Sequence, residues 1–378
     1  MKTSLAISFI ALTALTSAAA SPLADVCRRV APDSRQTVLE ASLDTLPSGT
    51  IVLRGVTSEA AAHDSVSAHL HRLGIEFADS LTVYPSDSFG LIRIPAASLR
   101  TSPAHSGEMA TQAVMGTPVR ILEHSGEWMR VQTPDGYIAY VPDSSVWPLD
   151  PAAMHRWRSS ADRRIVSTLW QTRAYTGPQA SGPRDVVTDL VLGAIVEADP
   201  TRVENGRIAI TLPDGRRGWA EESALTPLTD WAAQPFDAQK ILDTAYSMEG
   251  TPYLWGGMST KAIDCSGLVK VSYYSNGLIL RRDASQQALT GRRLEADQWP
   301  EYEAADLMFF GNRDTGRVTH VALYDSGGRY VHSSGRVKRN SVDPASPDYL
   351  YSPLHSVRIH GSEGTDGIVR AKDHPWYF

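Results

Sequence analysis

Cysteine is scarce in this chain: 378 residues carry only Cys27 and Cys265. No cysteine-rich ligand spacing and no His-Glu-x-x-His run occurs, so nothing points to a zinc centre or another metal cofactor. Blocks of five or more like charges are also missing. With 36 basic and 42 acidic residues the formal net charge is −6, which argues against nucleic acid or an anionic membrane as the main partner. Long apolar runs are absent as well. The stretch from Leu5 to Leu15 is too short to span a bilayer; between basic Met1-Lys2 and the small residues Ala18-Ala19-Ala20 it reads as a secretory signal. The expectation is a signal at residues 1–20, a mature chain beginning near Ser21, and export to a periplasm or the medium with no membrane span. A retained anchor is the alternative.

Hydrophobic content of 42% and charged content of 21% are those of a soluble globular protein. The chain is too long for one comfortable core, so two to four domains are expected. Residues 28–103 mix strand candidates, Thr50 to Leu53 and Gly90 to Ile94, with a helix over residues 58–74 and read as a small α/β segment. His63, His69 and His71 fall on that helix and fit a solvated face better than a metal site. An internal repeat follows. Glu127 to Val141 resembles Arg207 to Ala220, and each copy runs a strand into Pro-Asp-Gly before a second strand. Asp-Gly between alternating apolar residues predicts a hairpin with a type I′ turn. Two small all-β modules are therefore expected, at 104–150 and 162–228. They could be spacers or could bind carbohydrate or peptide. Trp231 to Pro235 reads as a linker. Residues 236–378 then place helical patterns, Ala238 to Met248 and the segment after Cys265, ahead of strands at Asp306 to Phe310, Val318 to Tyr324 and Arg329 to Ser333. That order predicts an α+β domain.

Chemistry concentrates at Asp264-Cys265-Ser266-Gly267. Asp264 is a good helix cap and Asn276-Gly277 a good stop, which puts Cys265 in the first turn. There, unpaired amides and the helix dipole favour a thiolate. The dipole contributes about 0.3–1 kcal/mol, or ~2 when partly buried. Lowering a thiol pKa from about 8.5 to about 6 takes roughly 3.4 kcal/mol. A helix end alone is insufficient, and a lone buried cysteine would be only a small hydrophobe. A bridge from Cys27 would also remove the thiol.

An imidazole partner is available in His320, inside the apolar strand Val318 to Tyr324, with a second histidine at His332. Side chains alternate along a strand, so both rings share a face only if the connection is three or five residues long. Gly327 and Gly328 suit a three-residue loop or a bulged turn; two or four residues would separate the histidines. In this reading Cys265 attacks an amide carbonyl, His320 carries the proton and His332 orients the His320 ring. The Cys265 amide and the Tyr253 hydroxyl are candidates for the oxyanion, with simple aromatic packing an equal alternative for Tyr253.

Tyr253-x-Trp255-Gly256-Gly257, Asp264 to Val269, Thr319-His320-Val321-Ala322 and Val331-His332-Ser333 together resemble the NlpC family of papain-like cell-wall peptidases. The match covers roughly residues 236–350, and the two β modules resemble bacterial SH3-like barrels. The resemblance implies a Cys265, His320, His332 triad with Tyr253 as the active-site tyrosine. The whole arrangement is similar to γ-D-glutamyl-L-diamino-acid dipeptidyl-peptidases, which trim murein peptides with a free N-terminal L-Ala. It implies that Glu108 and Tyr137, or Tyr140 beside it, bind that amine, with a buried carboxylate pairing the ammonium. It also implies that Asp264, Ser266 and the Arg282, Asp283, Ala284, Ser285 segment contact the D-Glu unit, with Ala284 or Ser285 at the serine position. The expected fold is α+β, a papain-like domain behind two SH3-like barrels and a short α/β segment. The expected function is hydrolysis, by a monomer needing no cofactor, of the bond from γ-D-Glu to diaminopimelate or L-Lys. A general endopeptidase on intact wall and a non-catalytic wall-binding protein are the alternatives.

Overall fold

The computed structural model describes residues 22–167, 172–350 and 352–378. The expected signal at residues 1–20 lies outside the described residues. Two compact units divide the chain, one of them residues 1–88 with Ile121–His124, the other the remainder.

In the first unit a helix at residues 22–30 precedes a three-stranded sheet, Leu39–Thr45 antiparallel to Ile51–Thr57 and Ala78–Val83 parallel to the latter. The parallel crossover is the helix Ala60–Arg72, which buries Ala62, Val66 and Leu70. Its His63 pairs with Asp64 and Asp79. Among the described residues no group of three or more His, Cys, Asp or Glu could hold a metal ion. Cys27 is part-buried, and both cysteines are free thiols.

Two seven-stranded sheets and the α+β domain follow in the chain, only Ile121–His124 of them being counted with the first unit. The first sheet is ordered Val146–Leu149, Phe89–Ile92, Pro118–Ser125, Trp128–Gln132, Ile138–Pro142, Ala96–Arg100, Met109–Val114. It reaches back to Phe89, whereas the sequence suggested a boundary at 104. The second runs Val186–Leu190, Thr172–Tyr175, Arg217–Glu221, Arg207–Thr211, Ile195–Glu204, Arg163–Val166, Leu225–Pro227. Both Pro-Asp-Gly segments are hairpins, but not with two-residue type I′ turns. Thr133 N–H donates to Tyr137 O at 2.9 Å and Leu212 N–H to Arg216 O at 2.8 Å, leaving three-residue loops. Only the glycines have positive φ, Gly136 at 84° and Gly215 at 83°. Proline, with φ fixed near −65°, suits the first position of a type I turn and forbids type I′ there. The expected linker also differs. Leu228–Ala233 is a helix, and the ring N–H of its buried Trp231 donates to Tyr274 O at 2.8 Å.

In the α+β domain, helix α1 (Ala238–Ser247) is capped by Asp237, which accepts from Lys240 N–H at 3.0 Å. Then come α2 (Cys265–Tyr274), α3 (Ala284–Gln287) and a six-stranded sheet. Its strands are β1 (Arg292–Glu295), β2 (Leu307–Gly311), β3 (Val318–Tyr324), β4 (Arg329–Ser334), β5 (Arg336–Ser341) and β6 (His355–Arg358), in spatial order β1-β6-β2-β3-β4-β5 and antiparallel throughout. Leu268 and Val269 of α2 pack with Phe309, Val321, Leu323, Val331 and Val337 in one core. Burying a side chain of this size contributes about 1.5–3 kcal/mol, so α2 is held firmly on the sheet. No helix among the described residues is long and apolar enough to cross a membrane.

Candidate active site

Asp264 caps α2, its Oδ1 accepting from Gly267 N–H at 2.7 Å. Oδ2 accepts from Gly256 N–H at 2.8 Å, which joins the Trp-Gly-Gly loop to the helix end. The glycines permit this approach. A Cβ on Gly267 would meet Gly257 O at 2.2 Å, and one on Gly256, whose φ is +78°, would meet Met109 O at 2.7 Å. Arg282, 1% exposed, closes the arrangement. It donates from Nη2 to Asp264 Oδ2 at 2.7 Å, from Nη1 to Ser266 Oγ at 2.8 Å, and from Nε to Thr111 Oγ1 of the first SH3-like sheet at 2.8 Å. Met258 N–H also donates to Gln112 Oε1 at 2.9 Å. The strand Met109–Val114 is thereby fixed along the loop that leads to Cys265.

Cys265 occupies the first turn of α2 and is buried. The backbone N–H groups of Val321 on β3 and of Ser266 are near enough to favour its ionised form. Burial first, then the Asp264 charge, push its pKa up to about 11 against those amides. The resting group is therefore a thiol, and the helix end has not produced a thiolate.

The β3–β4 connection decides the histidines. Tyr324 pairs with Tyr330, and Asp325 N–H donates to Arg329 O at 2.9 Å, leaving Ser326-Gly327-Gly328 as a three-residue loop. This odd length keeps His320 and His332 on one face, with Nε2 of His320 2.7 Å from Nδ1 of His332. Phe310 and Tyr330 flank the rings at 5.9 and 5.1 Å between centroids. His332 is 0% exposed, and its Nε2 lies 3.0 Å from Asn340 Oδ1 on β5. Burial, then His332 and Lys338, lower the His320 pKa to about 3; burial lowers that of His332 to about 4 despite the Asn340 bond. Both rings rest neutral. The sequence reading missed Asn340, for which only strand register provides a signal. It named Arg282 without its ion pair, which no local spacing reveals.

Tyr253 is half-buried on the loop before α2. Burial, then the charges of Cys265 and Asp264, hold its phenol well above the ordinary range, so it remains a donor. Asp264 and Ser266 are engaged by Arg282 as described. Asp283 caps α3 in a reciprocal box with Gln286; Ala284 is buried and Ser285 exposed. Tyr137 is buried within the electrostatic reach of Arg282, while Tyr140 lies under the Arg130 guanidinium at 5.4 Å. Glu108 heads the strand Met109–Val114 and is exposed. The carboxylate expected to be buried is thus exposed.

Residues 250–359 match the NlpC/P60 family, and residues 99–146 match the bacterial dipeptidyl-peptidase Sh3 domain. Dipeptidyl-peptidase 6 of Lysinibacillus sphaericus is 30% identical over 277 residues, covering 70% of this chain and 96% of that protein. The gamma-D-glutamyl-L-lysine dipeptidyl-peptidase of Bacillus subtilis is 27% identical over 264 residues, covering 67% and 81%. A crystal structure of an NlpC/P60 family protein from Bacillus cereus superposes with a TM-score of 0.60 at 20% identity, covering 71% of this chain and 99% of that one, a likeness of fold. The chain belongs to the NlpC/P60 family of cysteine peptidases, built as an α+β papain-like domain with SH3-like modules ahead of it.

Proposed function

We propose that this peptidase hydrolyses the bond between γ-D-Glu and the diamino acid of murein peptides that keep a free N-terminal L-Ala, releasing L-Ala-γ-D-Glu. The observation that carries the reading is the strand Met109–Val114, headed by Glu108 and fastened through Thr111 to Arg282 beside the Cys265 helix. A wall at that end of the cleft would admit a short amine-ended peptide and exclude a longer one. Glu108 and Tyr137 would hold the ammonium, whose acetylation would leave the acid without its partner. The Ser266, Asp283, Ala284 and Ser285 region would face the D-Glu unit, with Asp264 ordering it from beneath. The names of the two relatives above agree with this direction of cleavage.

In the proposed mechanism the Cys265 sulfur adds to the carbonyl carbon while its proton passes to His320. Because thiol and imidazole both rest neutral, this transfer accompanies attack instead of preceding it. The carbonyl π pair becomes the oxyanion, stabilised by the Cys265 amide and the Tyr253 hydroxyl. His320 then protonates the leaving amine as the C–N bond breaks, and water hydrolyses the thioester. The reading also makes the enzyme an exported protein, on the strength of the signal pattern in residues 1–20. The assay incubates L-Ala-γ-D-Glu-diaminopimelate, its L-Lys counterpart and the N-acetylated forms with enzyme, with products read by mass spectrometry. Cleavage confined to free-amine peptides is expected. Equal cleavage of acetylated forms, or release of peptides from intact sacculi, would overturn the free-amine reading, and activity in Cys265→Ala would remove the nucleophile.

A further inference from the structure

We infer that Asn340, held by the backbone carbonyl of Asp348, is a positioning residue that sets which nitrogen carries the proton on both His332 and His320. The inference rests on His320 acting as the base, as proposed above. Asn340 sits on β5, where His332 pairs with Lys338 and Tyr330 with Asn340. It is therefore diagonal to His332 on the same sheet face.

The amide nitrogen of Asn340 donates to Asp348 O at 3.0 Å. That carbonyl also accepts from Ser341 N–H at 3.0 Å, and Leu350 N–H donates back to Ser341 O at 3.2 Å. The anchor is thus main chain, and a carbonyl can only accept. Whatever faces it must donate, which orients the amide and turns Oδ1 toward His332. An amide oxygen cannot donate either, so Nε2 of His332 carries the hydrogen across the 3.0 Å contact. In a neutral ring Nδ1 is then bare, and Nε2 of His320, 2.7 Å away, must be the donor. His320 is left with Nδ1 as its basic nitrogen. Reversing the amide would set two carbonyl oxygens against each other and reverse each later step. The proton would end on Nδ1 of His320, which could then take none from a thiol. An arrangement with the wrong tautomer but intact geometry is known to be severely impaired in other triads.

The charged groups that reach His320 are Lys338 and Asp264, with His332 between the ring and Asn340; Lys338 also reaches His332. None of these changes when Asn340 is replaced. The test uses the full chain with 15N-labelled histidine, in parent, Asn340→Leu and Asn340→Asp forms. In the parent, Nε2–H tautomers on both rings are expected near neutral pH, and Nδ1–H on either ring would overturn the inference. In Asn340→Leu the tautomers should mix, with kcat falling about ten- to a hundredfold and KM changing less than about twofold. Asn340→Asp keeps an acceptor and adds a charge, so Nε2–H should persist while the acid limb of kcat moves to higher pH. Unchanged tautomers and kcat in Asn340→Leu would overturn the inference. If that variant does not fold, the parent spectrum and the Asn340→Asp pH profile decide it. The tautomers are read without substrate, so a wrong peptide assignment leaves this result intact.

Discussion

Residues 133–137 of the first SH3-like sheet and 212–216 of the second form the same three-residue hairpin loop, yet their aspartates hold different neighbours. Asp135, its side chain 2% exposed, meets Lys270 on the Cys265 helix at 2.9 Å. Burial opposes that charge, but Lys270 and the Thr133 hydroxyl outweigh it and keep the carboxyl below its ordinary range. The pair borders a cavity of about 60 Å³ lined by Val114, Leu192, Met258 and Tyr274. Asp214, its side chain as buried at 1% exposed, instead meets Arg93, just after the first-sheet strand Phe89–Ile92, at 3.0 Å and its own neighbour Arg216 at 2.8 Å. Both guanidiniums are a third or more exposed. One turn fastens the first module to the catalytic helix, and its copy fastens the second module to the first. The lesson is that a repeated turn fixes backbone shape, while the environment of its charged partner decides how much depends on it.

The strongest test of that difference removes the other fastening of the first module. Arg282→Met leaves the Asp264 carboxylate buried without its cation and should cost about 3–5 kcal/mol, read by urea unfolding, with activity lost. A cost no larger than that of an exposed pair would mean that Arg282 does not organise the site. The two aspartates give the direct comparison. Asp135→Ala strands the Lys270 ammonium and should cost about 3 kcal/mol. Asp214→Ala leaves cations that water can reach and should cost about 1 kcal/mol. Equal or reversed losses would break the comparison. The pH dependence sharpens it. A depressed aspartate pKa stabilises the fold fully above its unfolded value of about 3.9, and that contribution disappears as pH falls through the folded value. The gap between parent and Asp135→Ala should therefore close in acid. His320 and His332, held neutral by burial, weaken both proteins as pH falls below about 6.5, at about 1.4 kcal/mol per pH unit for each ring, so the difference is the quantity to follow. The smallest effect belongs to the glycines. Gly136→Ala and Gly215→Ala each force an L side chain into positive φ at about 1–2 kcal/mol. Gly136 should lose slightly more, since its added Cβ would lie 3.2 Å from Arg281 while that of Gly215 meets nothing within 4 Å. Thermal melts of the pair would read it.

Much of the site was legible because it is local. A capping aspartate three residues before a glycine, turn residues ahead of it and an apolar segment behind it are consecutive, and α2 follows from them. The strands were also written in neighbouring residues, and Gly327-Gly328 suited the odd-length β3–β4 loop without fixing it. The hairpin type was misjudged because Asp-Gly outweighed the preceding proline, which at the first central position fits a type I turn and not type I′. The supposed linker at Trp231 became a buried helix because an indole covered by a neighbouring domain looks no different in sequence from one in a loop.

By itself, then, the chain determined where a cysteine would meet a helix end and that two hairpins would repeat, and it offered two histidines that an odd-length loop would place on one strand face. Caps, turns and side-chain alternation act over a few residues, so their causes lie side by side in the sequence. Tertiary structure alone decided that Cys265 would rest as a thiol, that Asp264 would be held by Arg282, that Asn340 would reach His332, and that Asp135 and Asp214 would part company. Those outcomes depend on burial and on groups brought together from distant segments. The charge of a buried group is set by the water it loses and the partners that replace it, and neither exists until the chain has folded.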